Sequence, residues 1–266
     1  MMIYMAMEST EYGEYGNNKY RYIDAHCHIE DKKFNKDREE ILKISRSKNI
    51  EIITSGVGLG GCRRALELKK NYDIHLTLGF HPHGVRAEDK VVDKIYRIIK
   101  NNKKHIVAVG EIGLDIRDEN IPRQRDIFNR FITLAEELNK PIVVHGRGLE
   151  RMCFDIINNR VISMFHCYSG DEKLAKELID NGHYISISTL IIMSPNHQNL
   201  IRNLDLENVV IETDSPYLSP IRGEKNQPAN IIKVIEKIYE IKKEDGYEYP
   251  EIVNLIYKNT KKLFRI

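Results

Sequence analysis

Tyr22-Ile23-Asp24-Ala25-His26-Cys27-His28 is the stretch on which the fold turns. It opens as a short apolar run, the pattern of a strand buried on both faces of a parallel sheet, and it closes on two imidazoles. Seven further runs share its character, at 50–55, 74–78, 106–109, 141–144, 161–165, 184–187 and 209–212. Helical patterns lie between them. Ile127, Phe128, Phe131, Ile132, Leu134, Ala135 and Leu138 form one apolar stripe, with Arg123, Arg125, Glu136 and Glu137 mostly on the other side. Leu174, Ala175, Leu178 and Ile179 repeat it behind Ser169 and Asp171, two candidate caps. Two terminal helices are expected around 231–241 and 252–263. Eight strands alternating with helices predict an α/β fold, a (β/α)8 TIM-type barrel. An open doubly wound sheet would carry a glycine-rich phosphate loop after its first strand, and none follows Tyr22–Cys27.

The 266 residues suit one barrel of about 250 residues. No repeat, low-complexity run or linker divides them, so residues 20–266 are expected to form one domain. Residues 1–19 carry Met1, Met2, Met5 and Met7 but no basic region followed by an apolar run; they read as a poorly ordered tail rather than a secretory signal. Lys+Arg 41 against Asp+Glu 39 leaves a net charge of +2, so no whole-molecule field draws the chain to a polyanion, and any such ligand must be gripped locally. The longest uncharged stretch, 183–200, is interrupted by Ser186, Ser188, Thr189 and Ser194-Pro195-Asn196 and is too polar for a membrane span. Cys27, Cys62, Cys153 and Cys167 form no CxxC pair, which points to a reducing, cytoplasmic setting. No membrane and no stable protein partner is indicated.

In such a barrel, chemistry gathers at the carboxyl ends of the strands. There the sequence places His26 and His28 after strand one, Glu111 after strand four, His145 after strand five, His166 after strand six and Asp214 after strand eight. Residues two apart in an extended segment share a face, so His26 and His28 can address one ion. By itself HxH means little: with 10 histidines in this chain about 0.4 matches arise by chance. His81-Pro82-His83 is indeed a second. Six such residues, each just past a buried strand, are another matter and predict a metal site. Six exceed what one tetrahedral ion needs, and a carboxylate can bridge two cations, so two divalent ions are expected. Imidazole and carboxylate together suit Zn²⁺, Mn²⁺, Fe²⁺ or Co²⁺, while Mg²⁺ prefers oxygen; the choice among these, with Mg²⁺, Mn²⁺ and Zn²⁺ foremost, stays open. Paired cations activate water for phosphoester or amide hydrolysis, with Asp214 placed to bind an ion and orient or deprotonate that water.

The stretches DAHCHIE, GFHPH, GEIGLD, KPIVVHGR, FHCYSG and IETDSPYL, in this order, resemble the TatD family of metal-dependent deoxyribonucleases from about Tyr22 to the end. HCYSG and IETDSPYL are the specific part, and Gln124 with Phe128 fits the family's helix after strand four. The resemblance implies one ion held by His26, His28, Glu111 and Asp214 and another by Glu111, His145 and His166, with His81 near the scissile phosphate. It also implies hydrolysis of DNA from a 3′ end. Two departures stand out. The N-terminal tail is longer than usual and carries, with Tyr20 and Tyr22, five of the 14 tyrosines. In segment 220–228 the family usually has a basic residue where Glu224 stands and a glutamate at Gln227; neither is a ligand, so the change bears on substrate grip.

Around this set, Cys27 and Cys167 are expected to pack into the barrel wall, facing away from the histidines beside them. Arg147, Arg222 and Lys225 are candidate phosphate contacts. Asp115 can hold an imidazole or form a turn. His75 and His105 read as structural, the lysine pairs 32–33, 103–104 and 242–243 as exposed. The expected function is a metal-dependent exonuclease acting on single-stranded or frayed DNA ends. One alternative keeps the ions and changes the bond, as in an aminoacyl-RNA deacylase; the other is a non-catalytic nucleic-acid-binding barrel.

Overall fold

The computed structural model describes residues 20–266, and the expected tail lies outside them. Eight parallel strands follow one another in chain order: β1 Tyr22–Cys27, β2 Ile50–Val57, β3 His75–Gly79, β4 Ala108–Gly113, β5 Ile142–His145, β6 Ser163–Phe165, β7 Tyr184–Ile187 and β8 Val209–Ile211. Between them run α1 Arg38–Ser47, α2 Gly58–Asn71, α3 Asp89–Asn101, α4 Ile121–Leu138, α5 Glu150–Ile157, α6 Glu172–Asp180 and α7 Pro195–Arg202; α8 Ile231–Lys242 and α9 Tyr249–Phe264 close the chain. The sheet is a nearly closed (β/α)8 TIM-type barrel.

Two apolar layers hold it. Outward side chains of the strands pack under the helices in one large cluster, and Ile23, Ala25, Ile53, Ala108, Val143, Met164, Tyr184 and Val210 fill the barrel with Leu263 and Phe264 of α9. The helices form as their stripes and caps dictate. Asn120 accepts from Arg123 N at the head of α4, with Pro122 in its first turn. Asp171 accepts from Leu174 N at α6, whereas Ser169, the other expected cap, bonds the Cys167 carbonyl instead.

Side-chain parity in two strands is reset by bulges. In β1, Asp24 pairs Ile52 and Cys27 pairs Thr54, three steps against two. Ile23 and Ala25 point inward, so without this irregularity Cys27 would follow them and His26 would face the helices. With it, Cys27 lies in the outer layer and donates to the Ile53 carbonyl. In β4, Gly110 pairs Val143 and Ile112 pairs Val144, two steps against one. Glu111 is thereby turned to the barrel mouth while Ile112 packs outside. This strand runs to Gly113, past the expected end at 109, so Glu111 lies within it.

No ladder joins β8 to β1. The seam is held by Asp214 N donating to the His26 carbonyl (3.0 Å), His28 N to the Ser215 carbonyl (2.7 Å), and the wholly buried Asp24. Asp24 accepts from Thr213 N (2.9 Å) and Thr213 Oγ (2.5 Å).

Candidate metal centre

At the carboxyl ends of the strands a cavity of about 670 Å³ opens between the loops. Glu111 sits at its floor, buried, and its two oxygens face different imidazoles. Oε1 lies 2.8 Å from His145 Nδ1, 3.1 Å from His166 Nε2 and 3.3 Å from His81 Nε2. Oε2 lies 3.6 Å from His26 Nε2 and 3.8 Å from His28 Nε2. Burial pushes this carboxyl up, yet His166, His81 and His145 outweigh it and hold it well below the usual carboxylate range. A second carboxylate closes the group: Asp214 Oδ1 is 3.4 Å from His28 Nε2 and 3.7 Å from His26 Nε2. Asp214 stands three residues beyond β8 with a left-handed φ of 53°.

Hydrogen bonds at the far side of each ring decide what the near nitrogen offers. His28 Nδ1 donates to the Ser55 carbonyl (2.8 Å), which leaves Nε2 with its lone pair toward His26, Glu111 and Asp214. His166 Nδ1 donates to Glu212 Oε1 (3.1 Å), so its Nε2 likewise presents a lone pair. His26 and His28 bring their Nε2 atoms within 3.3 Å. Without a cation the neighbouring carboxylates outweigh burial and hold His28 and His166 well above the usual imidazole range; with the rings neutral, lone pairs and carboxylate oxygens converge, which is the chemistry of a cation site. Three donor groups, His26–His28–Asp214, His26–Glu111–His166 and His81–Glu111–His145, each have their ligand atoms within 4.8 Å of one another. The six expected ligands therefore form one connected cluster at the cavity, with Glu111 common to two groups.

His81 differs from the others. Its Nδ1 accepts from His83 N (3.0 Å), so Nε2 carries the hydrogen and points at Glu111 and the cavity as a donor. Burial lowers its basicity. His145 is held on both sides, by Glu111 and, through Nε2, by Asp115 Oδ2 at 2.9 Å. Asp115 in turn takes a bidentate contact from Arg117 and a bond from its backbone N, and Gln124 Oε1 accepts from the Asp115 N–H. Asp115 thus orients an imidazole as well as shaping a turn.

The remaining candidates separate. Arg147 is exposed on the cavity wall, while Arg222 is exposed in the loop after β8 and does not line the cavity. Lys225 is bound to Asp37 and the Lys33 carbonyl, a clasp between loops. Cys167 does line the cavity, with φ 46° and its thiol 3.4 Å from Ser188 Oγ; burial pushes that thiol up to about 12. It was expected in the barrel wall, and the left-handed turn after β6 brings it round. Glu212, Glu30, Arg64 and Arg117 were not singled out from sequence. Of these Glu30 and Glu212 had a weak signal, each standing two residues from a candidate ligand, His28 and Asp214, within DAHCHIE and IETDSPYL.

An eight-stranded barrel with imidazoles and carboxylates meeting at the carboxyl ends of its strands defines a metal-dependent hydrolase. A family model described as TatD related DNase matches residues 23–265. The chain is 58% identical over 245 residues to a metal-dependent hydrolase of Methanocaldococcus jannaschii, spanning 92% of this chain and 97% of the relative. It is 30% identical over 260 residues to a deoxyribonuclease of Homo sapiens, spanning 91% and 94%. The crystal structure of a TatD homologue from Escherichia coli K12 superimposes with a TM-score of 0.85 at 25% identity, over 92% of this chain and 98% of that one. The chain belongs to the TatD family of metal-dependent hydrolases.

Proposed function

We propose that this enzyme hydrolyses phosphodiester bonds of DNA, working from a 3′ end on single-stranded or frayed strands, with two divalent ions in the cavity. The observation that carries the reading is the division of Glu111, one oxygen toward His145 and His166 and the other toward His26 and His28, as a bridging carboxylate requires. His26, His28, Glu111 and Asp214 would hold one ion and Glu111, His145 and His166 the other. When bound, the pair supplies an acidified water and charge compensation for the attacking and leaving oxygens.

Charge supports an anionic substrate. Glu30, Asp31, Glu111, Glu150 and Asp214 line the cavity with Arg64, Arg117 and Arg147, a surplus of two negative charges over the arginines when the histidines are neutral. Two divalent cations turn that into a surplus of two positive charges, suited to a phosphate diester. His81 Nε2–H would donate to a non-bridging phosphate oxygen. Asp214, at the open side of the group, would take the proton of the attacking water. Arg147 on the cavity wall and Arg222 in the loop after β8, beyond the cavity lining, would contact the substrate strand. The relative named a deoxyribonuclease favours DNA over an amide or ester. Among the described residues no helix is long and apolar enough to cross a membrane, and the four cysteines are free; both agree with work in the cytoplasm.

The test is direct. Purified protein with Mg²⁺ or Mn²⁺ shortens 3′-labelled single-stranded DNA, and His145→Ala and Asp214→Ala lose at least about a hundredfold of that rate. DNA left intact across several metals overturns the reading.

A further inference from the structure

Arg64, nearly two turns into α2, is half-buried on the cavity wall. Its Nε donates to the Glu30 carbonyl at 3.0 Å, and this bond pins the guanidinium plane. Arg64 makes no ion pair among the described residues. The nearest obvious partner is engaged elsewhere, because the Glu30 carboxylate accepts from Thr54 Oγ at 2.6 Å and faces His28 Nδ1 at 3.7 Å. Gly60, one turn earlier on the same helix, leaves the space the guanidinium fills: a Cβ there would stand 3.1 Å from Arg64 Nη1. The cavity's other two arginines differ. Arg117 is neutralised by its bidentate contact with Asp115, and Arg147 is exposed and unpinned.

A guanidinium held in place, partly desolvated and left without a carboxylate suits an anion supplied from outside. Its anchor, Glu30, faces His28 at Nδ1, the side of the ring away from Glu111 and Asp214, so Arg64 is tied to the outer side of the imidazole cluster. We propose that Arg64 binds a phosphate of the DNA strand adjacent to the scissile one, so that the enzyme prefers substrates with at least two phosphates. The proposal rests on the DNA-hydrolysis reading above.

The test compares an oligothymidylate with bis(4-nitrophenyl) phosphate, which has a single phosphodiester. Arg64→Ala is expected to lose at least about tenfold more kcat/KM on the oligonucleotide than on the small diester, the loss appearing in KM. The dependence of log KM on log salt should flatten by roughly 0.7, the value of one single-strand phosphate. Arg64→Lys should recover part of the loss, and Arg64→Gln, which keeps most of the stem, should behave as Arg64→Ala. Equal losses on both substrates, an unchanged salt slope, or an undiminished rate on the oligonucleotide overturn the proposal while wild-type cleavage keeps the DNA reading intact. A wild-type enzyme that cleaves the small diester but not the oligonucleotide overturns both.

Discussion

Glu212 shows how a residue that never reaches the cavity can govern it. It is fully buried inside the barrel, where burial raises its carboxyl, and one oxygen bonds His166 Nδ1 while Oε2, with the Ser186 hydroxyl nearby, makes no close hydrogen bond among the described residues. A buried carboxylate with one poorly satisfied oxygen is costly, and its compensation is the fixed tautomer of His166. Glu212→Gln is expected to weaken metal binding by about 10- to 100-fold, as outer partners of metal-binding histidines do. Calorimetric titration of stripped protein with Mn²⁺ measures this, and wild-type affinity in the variant would remove the assigned role. At this scale the candidate ligands were legible because each lies at or just past the end of a buried strand run. Arg64 and Arg117 were not, since with 30% charged residues nothing local marks which arginine will find a carboxylate and which will not.

At the scale of elements, the β4 bulge depends on the strand beside it. A Cβ on Gly79 of β3 would stand 2.4 Å from the Glu111 carbonyl and 2.5 Å from the Gly110 carbonyl carbon, both backbone atoms that cannot swing aside. Gly79→Ala should therefore push β4 away, costing about 3 kcal/mol as overpacking does, and should displace Glu111 from its imidazoles. Urea unfolding reads the first effect and Mn²⁺ titration the second; a variant unchanged in both would show that β4 is held by other contacts. The alternation of strands and helices was legible from periodicity. The bulges were not, because a bulge is a mismatch between two strands and leaves no trace in the pattern of either one.

For the whole molecule, pH dependence should come in part from His183, remote from the cavity. Ser163 N donates to its Nδ1 at 3.2 Å, so the ring is the Nε2–H tautomer donating to Asn159 Oδ1 at 2.9 Å. Burial lowers its pKa to about 4 from an ordinary 6.5. Between those values the unfolded chain holds a proton that the folded one refuses, so the stabilisation is full above 6.5 and is lost as pH falls toward 4. The total is about 3 kcal/mol. Unfolding free energies of wild type and His183→Gln across pH 4–7 should converge as pH drops; parallel curves would place the titration elsewhere.

The sequence by itself determined the barrel and the inventory of its metal-type donors, because strand burial and ligand position are local properties that repeat along the chain. Only the tertiary structure decided which way those donors point. The bulges in β1 and β4, the Asp24 bridge to Thr213 and the division of Glu111 between two sets of imidazoles all arise from pairing between segments far apart in sequence. Register between distant strands is a collective outcome of packing, and a side-chain period of two makes every ligand's direction hinge on it.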